Sequence, residues 1–180
     1  MPLTGKKMVI TGAAGGLGAG VARVAKRQGA EVVLLDVIED FQSDLGQTFS
    51  VDLTDSDNVE ACFEAIGPFD IVANIAGGFD MGPEVHQTDD ALWDALFDIN
   101  VTTLRRVLSA ATPRLLASGG GRIINVGAVG ALKGGPNMGA YLASKSVVMR
   151  LTESLSEEVK GQGINVNAVL PSVINTARNR

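Results

Sequence analysis

Six short runs of apolar, largely β-branched residues recur along the chain, and within them apolar and polar positions do not alternate. Lys7 to Thr11, Glu31 to Asp36, Thr48 to Asp52, Phe69 to Asn74, Arg122 to Val126 and Ile164 to Leu170 each read as a strand. A run such as Val32-Val33-Leu34-Leu35 sends apolar side chains to both faces of a sheet. That suits a parallel strand covered on both sides, not a half-exposed antiparallel one. Parallel neighbours need long crossovers, and helical stretches lie between the runs. Leu17 to Gln28 has apolar residues at 17, 21, 24 and 25, Lys26 and Arg27 in its last turn, and Gly29 as a stop. Thr54-Asp55-Ser56-Asp57 caps a helix to about Ile66. Thr88-Asp89-Asp90 opens a long helix to about Ala117, which Pro113 should kink or end. The last helix runs from about Gly139 to Lys160.

The first strand is followed by Thr11-Gly12-Ala13-Ala14-Gly15-Gly16-Leu17-Gly18. Gly12 permits a tight turn, Gly16 lets a backbone approach a pyrophosphate, and Gly18 lets the helix pack against the sheet. Free N–H groups at the helix start then face the phosphates. Asp36 ends the second strand, 18 residues after Gly18. A carboxylate there can accept from the adenosine ribose hydroxyls and repels a 2′-phosphate, so NAD(H) should be preferred over NADP(H). Asp52 can reach an adenine amino group or simply cap the next helix. Together these features predict an α/β fold of the Rossmann type, a doubly wound parallel sheet in the order 3-2-1-4-5-6 with helices on both faces. One domain, residues 1–180, is expected at this length.

Charge narrows the partners. The chain carries 15 basic and 20 acidic side chains, a net charge of −5. Nucleic acid and anionic membranes reward clustered cations, so a small-molecule substrate is expected instead. No stretch reads as a signal or a span: the longest uncharged one, Gly161 to Ala177, is broken by glycines, asparagines and Pro171. Cys62 is the single cysteine, without a disulfide partner or metal-ligand spacing, which points to a reducing, cytoplasmic setting.

Tyr141, the one tyrosine, and Lys145 stand four apart on the last helix and so share a face. An ammonium beside a phenol favours the phenolate, which would fit Tyr141 for proton exchange with a carbonyl or alcohol.

The glycine-rich turn, Asp36, Asn74-x-Ala76-Gly77, Asn100, Tyr141-x-x-x-Lys145 and Pro171, in that order, resemble the short-chain dehydrogenase/reductase family over essentially the whole chain. The resemblance implies an NAD(P)-dependent oxidoreductase moving hydride between nicotinamide and a small carbonyl or alcohol, the chemistry of alcohol dehydrogenases. Tyr141 would be the general acid/base, and Lys145 would lower its pKa and hold the nicotinamide ribose. Asn100 would hold a water linking Lys145 to solvent. Besides Tyr141 and Lys145, the cofactor would meet Gly12, Ala14, Gly15, Gly16, Leu17, Gly18, Asp36, Asp52, Leu53, Asn74, Ala76, Gly77, Pro171, Ile174 and Thr176. No metal is implied. A homodimer or homotetramer would pair the helices at about 89–117 and 139–160. The family also implies a substrate loop, a helix and a seventh strand after Pro171, whereas the chain stops at Arg180.

One position departs from the pattern. The family usually has a serine 13 residues before the tyrosine to polarise the substrate oxygen, and here that residue is Ala128. The segment Ala131-Leu132-x-Gly134-x-Pro136-x-Met138 before Tyr141, with Ala76-Gly77-Gly78-Phe79, is similar to dihydropteridine reductases, which also lack that serine. Asn100 is closer to the mainstream of the family. Reduction of a quinonoid pterin is therefore one alternative, and a nucleotide-binding protein with little turnover is another. His86 reads as a solvated loop residue, Cys62 and Trp93 as packing residues, and Arg105 and Arg106 as a solvated or subunit-facing patch.

Overall fold

A computed structural model describes residues 2–175. Its six strands are β1 (Lys7–Thr11), β2 (Glu31–Asp36), β3 (Gln47–Ser50), β4 (Ile71–Asn74), β5 (Gly121–Val126) and β6 (Ile164–Val169). All neighbours pair in parallel, in the order β3-β2-β1-β4-β5-β6. The helices are α1 (Gly16–Arg27), α2 (Ser56–Ile66), α3 (Asp90–Phe97), α4 (Thr103–Ala117) and α5 (Gly139–Glu158).

The unbroken apolar runs are explained by two cores, one on each face. Val9, Val33, Leu35, Val72, Ile123 and Val166 point to one side, where Phe63 of α2, Leu115 of α4 and Val148 of α5 cover them. Met8, Ile10, Val32, Leu34, Ile71 and Ala73 point to the other, against Ala22 and Ala25 of α1. The small residues let α1 lie close to the sheet. Between β2 and β3 the crossover is a loop, residues 37–46, in which Phe41 and Leu45 pack onto that second core in place of a helix.

Several boundaries differ from the sequence expectation for local reasons. β3 ends at Ser50, so Asp52 lies beyond it. The Asp52 carboxylate accepts from the Thr54 N–H at 2.8 Å and its hydroxyl at 2.7 Å, a turn that stops the strand. Asp55, not Thr54, caps α2, accepting from the N–H groups of Asp57 and Asn58. β4 begins only at Ile71, because Phe69 turns into the core to meet Phe63 edge-on at 5.6 Å. The long helix is divided: a π-turn over Asp98–Thr102 joins α3 to α4. Pro113 does not end it. Pro113 faces solvent, and Arg114 in the next position donates to the Ala110 carbonyl at 2.8 Å while gripping Glu60 of α2 at 2.6 and 3.2 Å. That clamp holds the last turn in register past the missing N–H.

Candidate active site

The strands' carboxyl ends collect the turns that the sequence singled out. At β1, Gly12 has φ +63°, and a Cβ there would lie 2.8 Å from the Ala76 backbone. A Cβ on Gly18 would lie 2.1 Å from the Gly12 carbonyl oxygen, so neither position accepts a larger residue. Thr11 Oγ1 accepts from the N–H groups of Ile75 and Ala76, both at 3.0 Å, which sews the end of β1 to the turn after β4. Gly15 caps α1 without a side-chain hydrogen bond, and no acidic residue stands in the first turn. Ala14, Gly15 and Gly16 are exposed, so this end of the helix suits an anionic phosphate.

Asp36 stands at the end of β2, with its carboxylate accepting from the Ala14 N–H at 2.9 Å. It is both an acceptor beside the turn and a brace for it. Asp52 is exposed, and its carboxyl is held below the usual range by Thr54, with Arg106 as a smaller influence. Leu53 has its side chain buried in the α2-side core, leaving its backbone for a ligand. Asn74 is buried too, donating to Asn125 Oδ1 at 2.8 Å, and Asn125 in turn donates to Thr152 at 2.8 Å. It therefore ties β4 to β5 and α5, and its own Oδ1 has no protein partner. Pro171 accepts from the Val129 N–H at 3.0 Å, joining the loops after β5 and β6. Leu17 and Ile174 are half-buried, whereas Thr176 lies outside the described residues.

At the chemical end, Tyr141 and Lys145 lie on the first turns of α5. Lys145 is 6% exposed and donates from Nζ to the Val126 carbonyl at 3.1 Å. Burial lowers its pKa to about 8. The same cause pushes the Tyr141 phenol above its ordinary value. The expected lowering of the phenol by the ammonium is thus not what sets its direction; desolvation is. Gly77 lies beside both catalytic candidates' supports, since a Cβ on it would be 2.7 Å from Asn100 Oδ1 and 3.1 Å from Lys145 Nζ.

Asn100 is buried on the π-turn with a role the sequence did not suggest. Its Oδ1 accepts from the Gly78 N–H at 3.0 Å, and its Nδ2 donates to the Gly78 carbonyl and Ser144 Oγ, each at 3.1 Å. Ser144 Oγ donates onward to the Tyr141 carbonyl at 2.7 Å. The Asn100 side chain is a clasp between the loop after β4 and α5. Ser144 and Gly78 were missed; the one signal for Ser144 was its place three residues after Tyr141. Phe79 stands with its ring 4.9 Å from that of Tyr141 at 88°. Ala128 is buried and brings no donor.

A match to the short chain dehydrogenase family spans residues 6–180. The chain belongs to this family. Sorbitol dehydrogenase of Cereibacter sphaeroides is 33% identical, over 97% of this chain and 72% of that protein. Among solved structures, NAD+-bound xylitol dehydrogenase superposes with a TM-score of 0.94 at 26% identity, over 99% of this chain and 74% of that one. Carveol dehydrogenase from Mycobacterium avium in complex with NAD gives 0.88 at 30% identity, over 96% and 72%. The chain is thus an oxidoreductase of the short-chain dehydrogenase type with the family's Rossmann-like sheet. Among the described residues, no helix is long and apolar enough to cross a membrane.

Proposed function

We propose that this short-chain dehydrogenase is an NAD(H)-dependent oxidoreductase that interconverts a small carbonyl and its alcohol, with Tyr141 as general acid/base. The observation that carries the reading is that one loop after β4 meets buried Lys145 at Gly77 and the Tyr141 ring at Phe79, at the same sheet end as the exposed glycine-rich turn. Ala14, Gly15, Gly16, Leu17 and Gly18 would hold the diphosphate, and Asp36 the adenosine ribose in preference to a 2′-phosphate. Gly77, Pro171 and Ile174 would border the nicotinamide, which when bound supplies or takes up the hydride.

Tyr141 enters as the protonated phenol, because burial disfavours its ionised form. It gives its proton to the substrate oxygen in the reductive direction and recovers one afterwards. Lys145 is mostly an ammonium at neutral pH and is steadied by the Val126 carbonyl. Its charge favours the phenolate that forms when Tyr141 has given up its proton. Asn100 and Ser144 hold the loop and helix so that this pair stays in place.

Ala128 favours a second reading, reduction of an electron-poor imine such as a quinonoid pterin, which needs less help from a hydroxyl donor. The experiment is NADH consumption against a quinonoid dihydropterin, a diketone, a quinone and simple ketones, beside NADH binding, for the protein and Tyr141→Phe. Carbonyl turnover that drops at least a hundredfold in Tyr141→Phe with NADH binding retained supports the proposal. Turnover of the pterin alone selects the second reading, and binding without any turnover overturns both.

A further inference from the structure

Phe79 stands directly after the Gly77-Gly78 step that Asn100 clasps, so its backbone is anchored on the protein side of the site. Its ring meets Tyr141 at 4.9 Å and 88°, making a corner of two perpendicular aromatic walls. Yet 49% of Phe79 remains open to solvent. A ring half open to solvent beside the candidate proton donor is free to receive a ligand.

The loop after β5 adds a second observation. The loop that leaves β5 begins with Gly127 and Ala128, both buried, followed by Val129, 42% exposed. None of the three has a side-chain donor. A second preorganised donor on a developing oxyanion is worth roughly a hundred- to a thousandfold in rate, whereas an aromatic contact is worth about two- to tenfold in affinity. The wall cannot replace the donor. What the wall can do is position a substrate by its shape.

Resting on the oxidoreductase reading above, we infer that Phe79 selects a flat, conjugated cyclic carbonyl compound over an open-chain ketone or polyol. A planar ring lies against the exposed surface of Phe79. Open-chain polyols would instead meet an apolar corner that leaves their hydroxyls unpaired.

The test compares 1-tetralone with 2-decanone, an open-chain ketone of equal carbon count, in the NADH-loaded protein and in Phe79→Leu and Phe79→Trp. Two readouts are taken: kcat/KM, and 1-tetralone binding by saturation-transfer NMR. The expected result is at least a tenfold preference for 1-tetralone. Phe79→Leu should weaken 1-tetralone about fivefold in both readouts, with 2-decanone changed less than twofold, and Phe79→Trp should keep the preference. Equal use of both ketones, or an equal loss for both in Phe79→Leu, overturns the inference. Phe79-dependent binding of 1-tetralone without turnover of it or of any carbonyl in the panel above leaves the inference standing and removes the hydride-transfer reading. Absence of 1-tetralone binding removes the inference while turnover of other carbonyls preserves that reading.

Discussion

The Asp36 carboxylate accepts the Ala14 N–H at 2.9 Å, so the residue that ends β2 also braces the turn that ends β1. Cofactor choice and local folding therefore meet in one side chain. Asp36→Asn keeps an acceptor for Ala14 but loses the charge, and Asp36→Ala loses both. Both variants should shift the ratio of NADPH to NADH dissociation constants toward NADPH by tenfold or more. Only Asp36→Ala should also lose about 1 kcal/mol of stability, the typical worth of such a bond. Titration and thermal melts of the pair check this; unchanged selectivity in both would remove Asp36 from the cofactor site.

Gly77 is constrained by chemistry rather than by φ. The added Cβ of Gly77→Ala would stand 2.7 Å from Asn100 Oδ1 and 3.1 Å from Lys145 Nζ. Something must move, and each of these groups is buried and hydrogen-bonded. Overpacking of this kind costs about 1–3 kcal/mol. We expect that loss in urea unfolding, together with a kcat at least tenfold lower. A variant as stable and active as the parent would mean that the loop yields freely.

The clasp through Asn100 and Ser144 should behave as a unit. Ser144→Ala leaves Asn100 Nδ2 with Gly78 alone, and Asn100→Ala leaves both Gly78 groups without it. Each single change should cost about 1–3 kcal/mol, with a coupling between them of 0.5 kcal/mol or more in a double-mutant cycle, as for residues of one network. Strict additivity would show that the two side chains act independently.

Burial of Lys145 sets a pH dependence with a definite sign. Its folded-state pKa of about 8 lies below the ordinary 10.5, so between these values the unfolded chain binds a proton that the folded one has released. Stability therefore rises with pH across that window. Tyr141 and Cys62 oppose this, since burial pushes both up, but from ordinary values of 10.0 and 9.0. The interval from about pH 8 to 9 belongs to Lys145. Urea midpoints should climb there in the parent and stay flat in Lys145→Met; parallel curves would refute the assignment.

Much of this architecture was legible in the sequence because its causes are local. Apolar runs without alternation, such as Val32 to Leu35, require cover on both faces, and the two cores provide it. Gly12 and Gly18 announce a turn that no other residue fits, and Tyr141 and Lys145 are brought together by helical spacing alone. Boundaries were less legible where a side chain far along the chain intervenes. Pro113 looks like a stop until Arg114 finds Glu60, 54 residues away, and Phe69 looks like part of a strand until Phe63 claims it.

What only the tertiary structure decided was the use of each polar group. The direction of the Tyr141 and Lys145 shifts depends on how much water the packed loops leave, and no spacing encodes that. The close approach of Gly78 and Ser144 made the Asn100 side chain a clasp. Leu53 keeps only its backbone for a ligand, because the core took its side chain. Residue type and spacing determine which groups arrive at the ends of the strands, because backbone geometry is periodic. Contacts between distant segments determine what each group does there, because desolvation and hydrogen bonding depend on neighbours that the chain brings together only on folding.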